Sequence, residues 1–61
     1  MLKVNDVVKF KGYFKYLYAV ISVDDGKAKI RNIIGSNMYD VDIKRLEYVC
    51  TIEEWKTVKG I

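Results

Sequence analysis

The dipeptide Asp25-Gly26 constrains this chain most strongly, because it separates two runs of alternating apolar residues. Asp-Gly is the strongest short signal for a two-residue type I′ hairpin turn, in which both central residues have positive φ. The register that follows places Ile21 opposite Ile30 and turns Val20 outward. The predicted inner face of this hairpin consists of Ala19, Ile21, Val23, Ala28 and Ile30.

A second turn signal, Gly35-Ser36, predicts that a third strand folds back on the hairpin. Glycine at the first central position suits a two-residue type II′ turn. This register places Ile30 opposite Val41, so Val41 joins the same inner face. Two opposite-charge pairs are then expected on the outer face, Arg31–Asp40 and Lys29–Asp42.

The remaining segments predict two further strands and a short helix. Val7–Phe10 is a β-branched and aromatic run, and a strand is also expected after a single 3₁₀ turn that begins near Ile43. Thr51 and Glu54 have the spacing of a capping box, which predicts a helix over about 52–59. Extension of the last strand is the alternative for this segment. We therefore expect one all-β domain over residues 1–61, a five-stranded barrel at about 4–50 with a C-terminal helix.

Size and composition exclude several classes of protein. The chain has 61 residues, one cysteine and no histidine, so neither an internal disulfide nor a zinc site of the Cys/His type is expected. We expect no metal and no cofactor. No apolar run approaches the roughly 20 residues needed to cross a bilayer. The N-terminus also lacks the apolar stretch of a secretion signal. The expected location is cytoplasmic, without a membrane partner.

Three segments together resemble a known fold family: NDVVKFKG, YAVISVDDGKAKIRNI and YDVDIKRLEYV. In order they give an opening strand, a hairpin, and a strand followed by a single turn and a last strand. This layout resembles the SH3-like small barrel over residues 4 to about 50, with a weak similarity to KOW-type barrels. The KOW-type opening is Gly-Asp, where this chain has Asn5-Asp6. The resemblance implies a small five-stranded barrel.

No pattern in the chain predicts catalysis. There is no histidine for acid–base chemistry, and no nucleophile elbow, phosphate-binding glycine loop or metal motif. Cys50 lies in a predicted strand and is expected to be a small apolar residue. Asp40 and Asp42 share a strand face, where cationic neighbours favour a charge ladder over paired acid–base carboxylates. We expect no enzymatic activity; an oligomeric enzyme with a site at its symmetry axis is the least favoured hypothesis.

The stretch KFKGYFKYLY, residues 9–18, interleaves aromatic rings with lysines in a chain of net charge +3. Phe10 and Phe14 are expected to fill the barrel, whereas Tyr13 and Tyr16 are expected at the surface. Cations between exposed rings are typical of surfaces that hold phosphates and stack bases. The favoured hypothesis is weak, largely sequence-independent binding of DNA or RNA. The candidate residues are Lys9, Lys11, Tyr13, Lys15, Tyr16, Lys27, Lys29 and Arg31.

The predicted register also groups apolar side chains on the outer face, where a set this apolar needs cover. The C-terminal helix, a second copy of the chain or a partner protein would each supply that cover. The alternative function is therefore protein binding, with an acidic protein as partner or with a host protein inhibited by a small phage or mobile-element product. A homodimer remains open. The candidate interface residues are Tyr18, Val20, Ile33, Met38 and Trp55.

Overall fold

The computed structural model describes residues 2–58 of the chain. Its elements are β1 (Asp6–Phe10), β2 (Tyr18–Asp24), β3 (Lys27–Asn32), β4 (Met38–Asp42), a 3₁₀ turn (Ile43–Arg45), β5 (Leu46–Thr51) and α1 (Ile52–Val58). The strands form one antiparallel sheet in the order β4-β3-β2-β1-β5, so β4 and β5 are its edges and the sheet is not closed. The predicted all-β class with a short C-terminal helix is confirmed.

The central hairpin forms at the predicted dipeptide. Asp25 and Gly26 have φ values of 52° and 79°, as a type I′ turn requires. Asp24 pairs with Lys27, and the predicted register holds through the next two pairs, as far as Ser22 opposite Lys29.

The hairpin register then shifts at a β-bulge, which the sequence did not predict. Val20 pairs with Ile30, so Ile21 is the extra residue on β2. An extra residue reverses the side-chain alternation of the strand beyond it. Tyr18 and Val20 therefore point into the core, with 8% and 1% exposure, and Ile21 is half-buried. The prediction that Tyr18 and Val20 lie on the outer face is wrong, because the bulge buries a tyrosine and a valine where an unbroken register would bury an alanine and an isoleucine.

The connection from β3 to β4 is longer than predicted. The side-chain oxygen of Asn32 accepts a hydrogen bond from the Ile34 N–H at 3.0 Å, and its carbonyl accepts one from the Gly35 N–H at 3.2 Å. These bonds build a turn on Asn32, and Gly35 does not adopt the positive φ of a type II′ turn. The prediction of a two-residue turn at Gly35-Ser36 is therefore wrong.

The longer connection moves the β3–β4 pairing by two residues. Ile30 pairs with Tyr39, and Ala28 pairs with Val41. A shift of two preserves the alternation, so Val41 still packs against the core as predicted. The predicted charge pairs each change partner: the outer face carries Lys29 opposite Asp40 and Lys27 opposite Asp42.

The core lies on one face of the curved sheet. Its buried members come from four strands: Val8, Tyr18, Val20, Ala28, Ile30 and Leu46. Phe10 packs against this cluster as a partly buried residue, as predicted. Burying each large apolar side chain contributes about 1.5–3 kcal/mol, so these few residues supply much of the stability of so small a chain.

The opposite face of the sheet is covered at β1 by helix α1. Val7 points away from Val8 along β1, yet it has no exposed surface, because α1 contacts both β1 and β5. The predicted capping box forms: the Thr51 N–H donates to Glu54 Oε1 at 2.9 Å, and the Glu54 N–H donates to Thr51 Oγ1 at 3.1 Å. The predicted helix end at 59 lies outside the described residues. No helix within residues 2–58 is long and apolar enough to cross a membrane.

The turn at Gly26 generates a first prediction. Beyond Gly26 itself and its two chain neighbours, no atom lies within 4 Å of a Cβ built at this position, so only its φ opposes a side chain. Gly26→Ala should lower the free energy of unfolding by about 1 kcal/mol, because positive φ is unfavourable for residues with a Cβ. Gly35→Ala is the matched control, since its φ is ordinary and its Cβ would meet Asn32 at 3.8 Å, a normal contact. Equal midpoints for the two variants in urea unfolding would contradict the turn assignment.

The capping box generates a second prediction. Thr51→Ala removes the acceptor for the Glu54 N–H and should cost about 0.5–2 kcal/mol, measured by chemical denaturation with far-UV circular dichroism. Thr51→Ser keeps the hydroxyl and is the control. A loss of the same size in both variants would show that the hydroxyl is not what stabilises the start of α1.

Candidate functional site

An aromatic cleft lies where the end of β1, the start of β2 and the 3₁₀ turn meet. Its volume is about 390 Å³, and it is lined by Phe10, Tyr13, Lys15, Tyr16, Tyr18 and Arg45. Tyr18 is buried and Phe10 is partly buried, so these two rings form the floor. Tyr13 and Tyr16 are 70% and 45% exposed and form the walls. We call this feature the aromatic cleft.

The backbone of the β1–β2 loop fixes the shape of the cleft. The Tyr13 N–H donates to the Phe10 carbonyl at 3.0 Å, and Gly12 between them has a φ of 82°. A four-residue turn with a glycine of positive φ at its third position has the type II form. The Lys11 N–H donates to the Arg45 carbonyl at 2.9 Å, which ties the loop to the 3₁₀ turn.

The rings at the floor hold one another in place. Phe10 and Tyr18 meet edge to face, with centroids 5.3 Å apart and planes at 80°. Tyr18 meets Tyr39 in the same way at 6.0 Å and 81°. Such arrangements are favourable beyond the area they bury. Burial raises the pKa of Tyr18, and the neighbouring Tyr39 and Tyr16 raise this pKa further, so its phenol is neutral at physiological pH.

The cations at the cleft are available to a ligand. The Lys15 Nζ lies 5.4 Å from the centroid of the Tyr16 ring, and the Arg45 guanidinium carbon lies 5.8 Å from that of Phe10. Among the residues that the structure describes, Lys11, Lys15 and Arg45 form no ion pair with a carboxylate. Their charge is therefore not neutralised within the described part of the chain.

The predicted nucleic-acid residues divide into three groups. Lys11, Tyr13, Lys15 and Tyr16 lie together at the cleft or on its loop. Lys9 is half-buried, with its Nζ 3.0 Å from Glu47 and 4.1 Å from the centroid of the Phe14 ring. The third group lies on the outer face of β3 and consists of Lys27, Lys29 and Arg31. Carboxylates stand opposite Lys27 and Lys29.

The prediction that Phe14 fills the barrel is wrong, since this ring is 79% exposed. The bulge turns Tyr18 inward, and Tyr18 with Phe10 occupies the end of the core that Phe14 was expected to plug. The Lys9 ammonium instead lies over the face of the Phe14 ring, in a cation–π contact.

The predicted interface residues do not form one patch. Tyr18 and Val20 are in the core, and Met38 is exposed at the start of edge strand β4. Ile33 and Trp55 are both half-buried and come together at a second groove of about 280 Å³. The other residues of this groove are Phe14, Lys15, Tyr16, Leu17, Asn32 and Ile34. We call this feature the Trp55 groove.

Sequence reasoning missed three residues of the cleft: Arg45, Phe10 and Tyr18. Phe10 and Tyr18 were assigned by strand alternation alone, which the bulge invalidates for Tyr18. Arg45 comes from a distant segment and reaches the cleft because β1 pairs with β5, Phe10 opposite Leu46. The predicted 3₁₀ turn fixes Arg45 immediately before that strand, but it does not indicate that the strand lies beside β1.

The structure offers little for metal or thiol chemistry. Within residues 2–58, no group of three or more Asp, Glu, Cys or His side chains is placed to hold a metal ion. Burial raises the pKa of the half-buried Cys50 thiol, and the Glu54 carboxylate raises this pKa further. The thiol form is therefore favoured over the nucleophilic thiolate at neutral pH.

Comparison with protein-family models, with curated proteins and with solved structures finds no match for this chain.

The raised pKa of Tyr18 generates a third prediction. A tyrosine whose pKa is higher in the folded than in the unfolded state stabilises the fold at pH values below its unfolded pKa of about 10. This stabilisation is lost as the pH rises through the pKa of the folded state. Thermal stability should therefore fall above about pH 10, and Tyr18→Phe should reduce the size of that fall. The measurement is the melting temperature against pH, with Tyr13→Phe at an exposed tyrosine as control. The same fall in Tyr18→Phe as in the native protein would contradict the prediction.

Proposed function

We propose that the protein is a non-enzymatic module that binds nucleic acid weakly and with little dependence on sequence, through the aromatic cleft and its loop. The observation that carries the proposal is the coincidence of three unneutralised cations with solvent-exposed rings. Lys15 and Arg45 line the cleft with Tyr13 and Tyr16, which supply the rings. Lys11 adds a third cation from the adjoining loop. Surfaces that combine these groups hold phosphates and stack bases.

The distribution of carboxylates supports this location over the basic strand β3. The Lys27 Nζ lies 3.9 Å from Asp42, and Lys29 stands opposite Asp40, so a phosphate at β3 would meet acidic neighbours. The cleft cations have no such partners among the described residues. Because phosphate contact depends on released counterions, cations that are already paired contribute less to it.

The affinity that follows from this arrangement is low. Three available cations and a net charge of +3 suit a dissociation constant on the order of 10⁻⁴–10⁻⁶ M at physiological salt, the range of non-specific binding. The proposal includes an SH3-like assignment, which the order of the elements supports. We also place the module in the cytoplasm, where nucleic acid is accessible and a lone thiol stays reduced.

A second candidate function, binding through apolar surface, is favoured by the Trp55 groove. Phe14 and Ile34 at this groove are 79% and 82% exposed, which is high for large apolar side chains. A second copy of the chain is the simplest occupant. This function would be favoured if the pure protein associates in a concentration-dependent way at high salt and the Ile34→Lys variant does not.

The fourth prediction tests nucleic-acid binding with two matched triple variants. Lys11→Gln, Lys15→Gln and Arg45→Gln together should flatten the dependence of log affinity on log salt by about 2–3 units, because each cation that touches phosphate contributes about 0.7–0.9. Lys27→Gln, Lys29→Gln and Arg31→Gln remove the same net charge from β3 and should change this slope by less than about one unit. Fluorescence anisotropy with a labelled oligonucleotide at several salt concentrations gives both slopes.

Two outcomes would contradict the proposal. Equal changes in both triple variants would mean that net charge, and not the cleft, governs binding. Absence of binding by the native protein at low salt would remove the function itself.

A further inference from the structure

We propose that the aromatic cleft holds one unstacked base, so that the module selects single-stranded over duplex nucleic acid. This inference rests on the proposed function and assigns its substrate class. A base within a duplex is stacked on both faces and its edge is paired, so it cannot enter a cleft unless the strand opens. A base in a single strand can turn out of the strand at small cost.

The size of the cleft suits such a ligand. At about 390 Å³, it lies within the range of roughly 300–1,000 Å³ that small-molecule sites occupy. A purine or pyrimidine is no larger than the side chain of tryptophan and fits with room for its sugar. A phosphate backbone alone would need only a charged surface, and would not need a concave site lined by four rings.

The ring geometry separates fixed rings from free ones. Phe10 and Tyr18 already meet edge to face at 80°, and Tyr18 is held by Tyr39 from a second side. Their positions are therefore set before a ligand arrives, which lowers the entropic cost of binding. Tyr13 and Tyr16 remain 70% and 45% exposed, so these are the rings on which an incoming base would stack.

The polar groups of the cleft fit the rest of a nucleotide. Lys15 and Arg45 come from two different segments of the chain, and each lies against a ring of the cleft. They are placed to contact the phosphates that flank a bound base. Tyr16 and Tyr18 both line the cleft, and the hydroxyl of a neutral tyrosine can donate or accept a hydrogen bond at a base edge.

The fifth prediction compares strands and tyrosines in one experiment. A short oligothymidine or oligouridine with a central fluorescent base analogue, whose emission depends on stacking, is titrated alone and after hybridisation to its complement. At equal salt, the single strand should bind on the order of tenfold more tightly than the duplex, with a change in emission. Tyr13→Ala and Tyr16→Ala should each weaken single-strand binding on the order of tenfold while leaving the salt slope unchanged.

Tyr48→Ala is the matched control, because Tyr48 is 51% exposed on β5 and does not line the cleft. It should leave both affinities unchanged. All three substitutions are at exposed positions, and far-UV circular dichroism checks that each variant is folded.

The outcomes separate this inference from the proposed function. Equal, salt-dependent binding of single strand and duplex, unaffected by Tyr13→Ala and Tyr16→Ala, would overturn the base site and leave phosphate binding in place. No binding to either form would overturn both. Tighter binding to the duplex would also overturn the base site.

Discussion

The bulge at Ile21 is the feature on which most of this structure depends. The hairpin turn at Asp25-Gly26 fixes which side chains of the adjoining strand ends face inward. At the start of β2, the inward-facing side chains follow the opposite alternation. One extra residue reconciles the two, so that Tyr18 and Val20 face the core together with Ala28 and Ile30. A bulge also increases local twist, which helps a five-stranded sheet to curve around so small a core.

Core and cleft share a residue as a consequence of the bulge. Tyr18 belongs to the buried cluster, and it also lines the aromatic cleft and holds the ring of Phe10. A chain of 61 residues has few side chains to spare, so one buried ring belongs to both the core and the cleft. The floor of the cleft is therefore held by core packing, whereas Tyr13 and Tyr16 at its walls are exposed.

Strand pairing decides which cations remain available. Lys9 and Glu47 are far apart in sequence, but β1 pairs with β5 and brings them to 3.0 Å. The shift of two residues between β3 and β4 likewise assigns Asp40 and Asp42 to Lys29 and Lys27. Carboxylates thereby stand opposite Lys9, Lys27 and Lys29 on the sheet, whereas the described cations of the loop and the 3₁₀ turn have none. The proposed site thus follows from pairing as much as from the number of lysines.

The sequence by itself determined the features that depend on a few neighbouring residues. The Asp25-Gly26 turn, the 3₁₀ turn after β4 and the capping box of Thr51 are each set by backbone preferences and hydrogen bonds within three or four residues. Only the tertiary structure decided the bulge at Ile21 and the placement of Arg45 in the cleft. The bulge depends on which alternation of side chains buries the larger total apolar area. The placement of Arg45 depends on pairing between strands from the two ends of the chain. No local pattern in the sequence determines either of them.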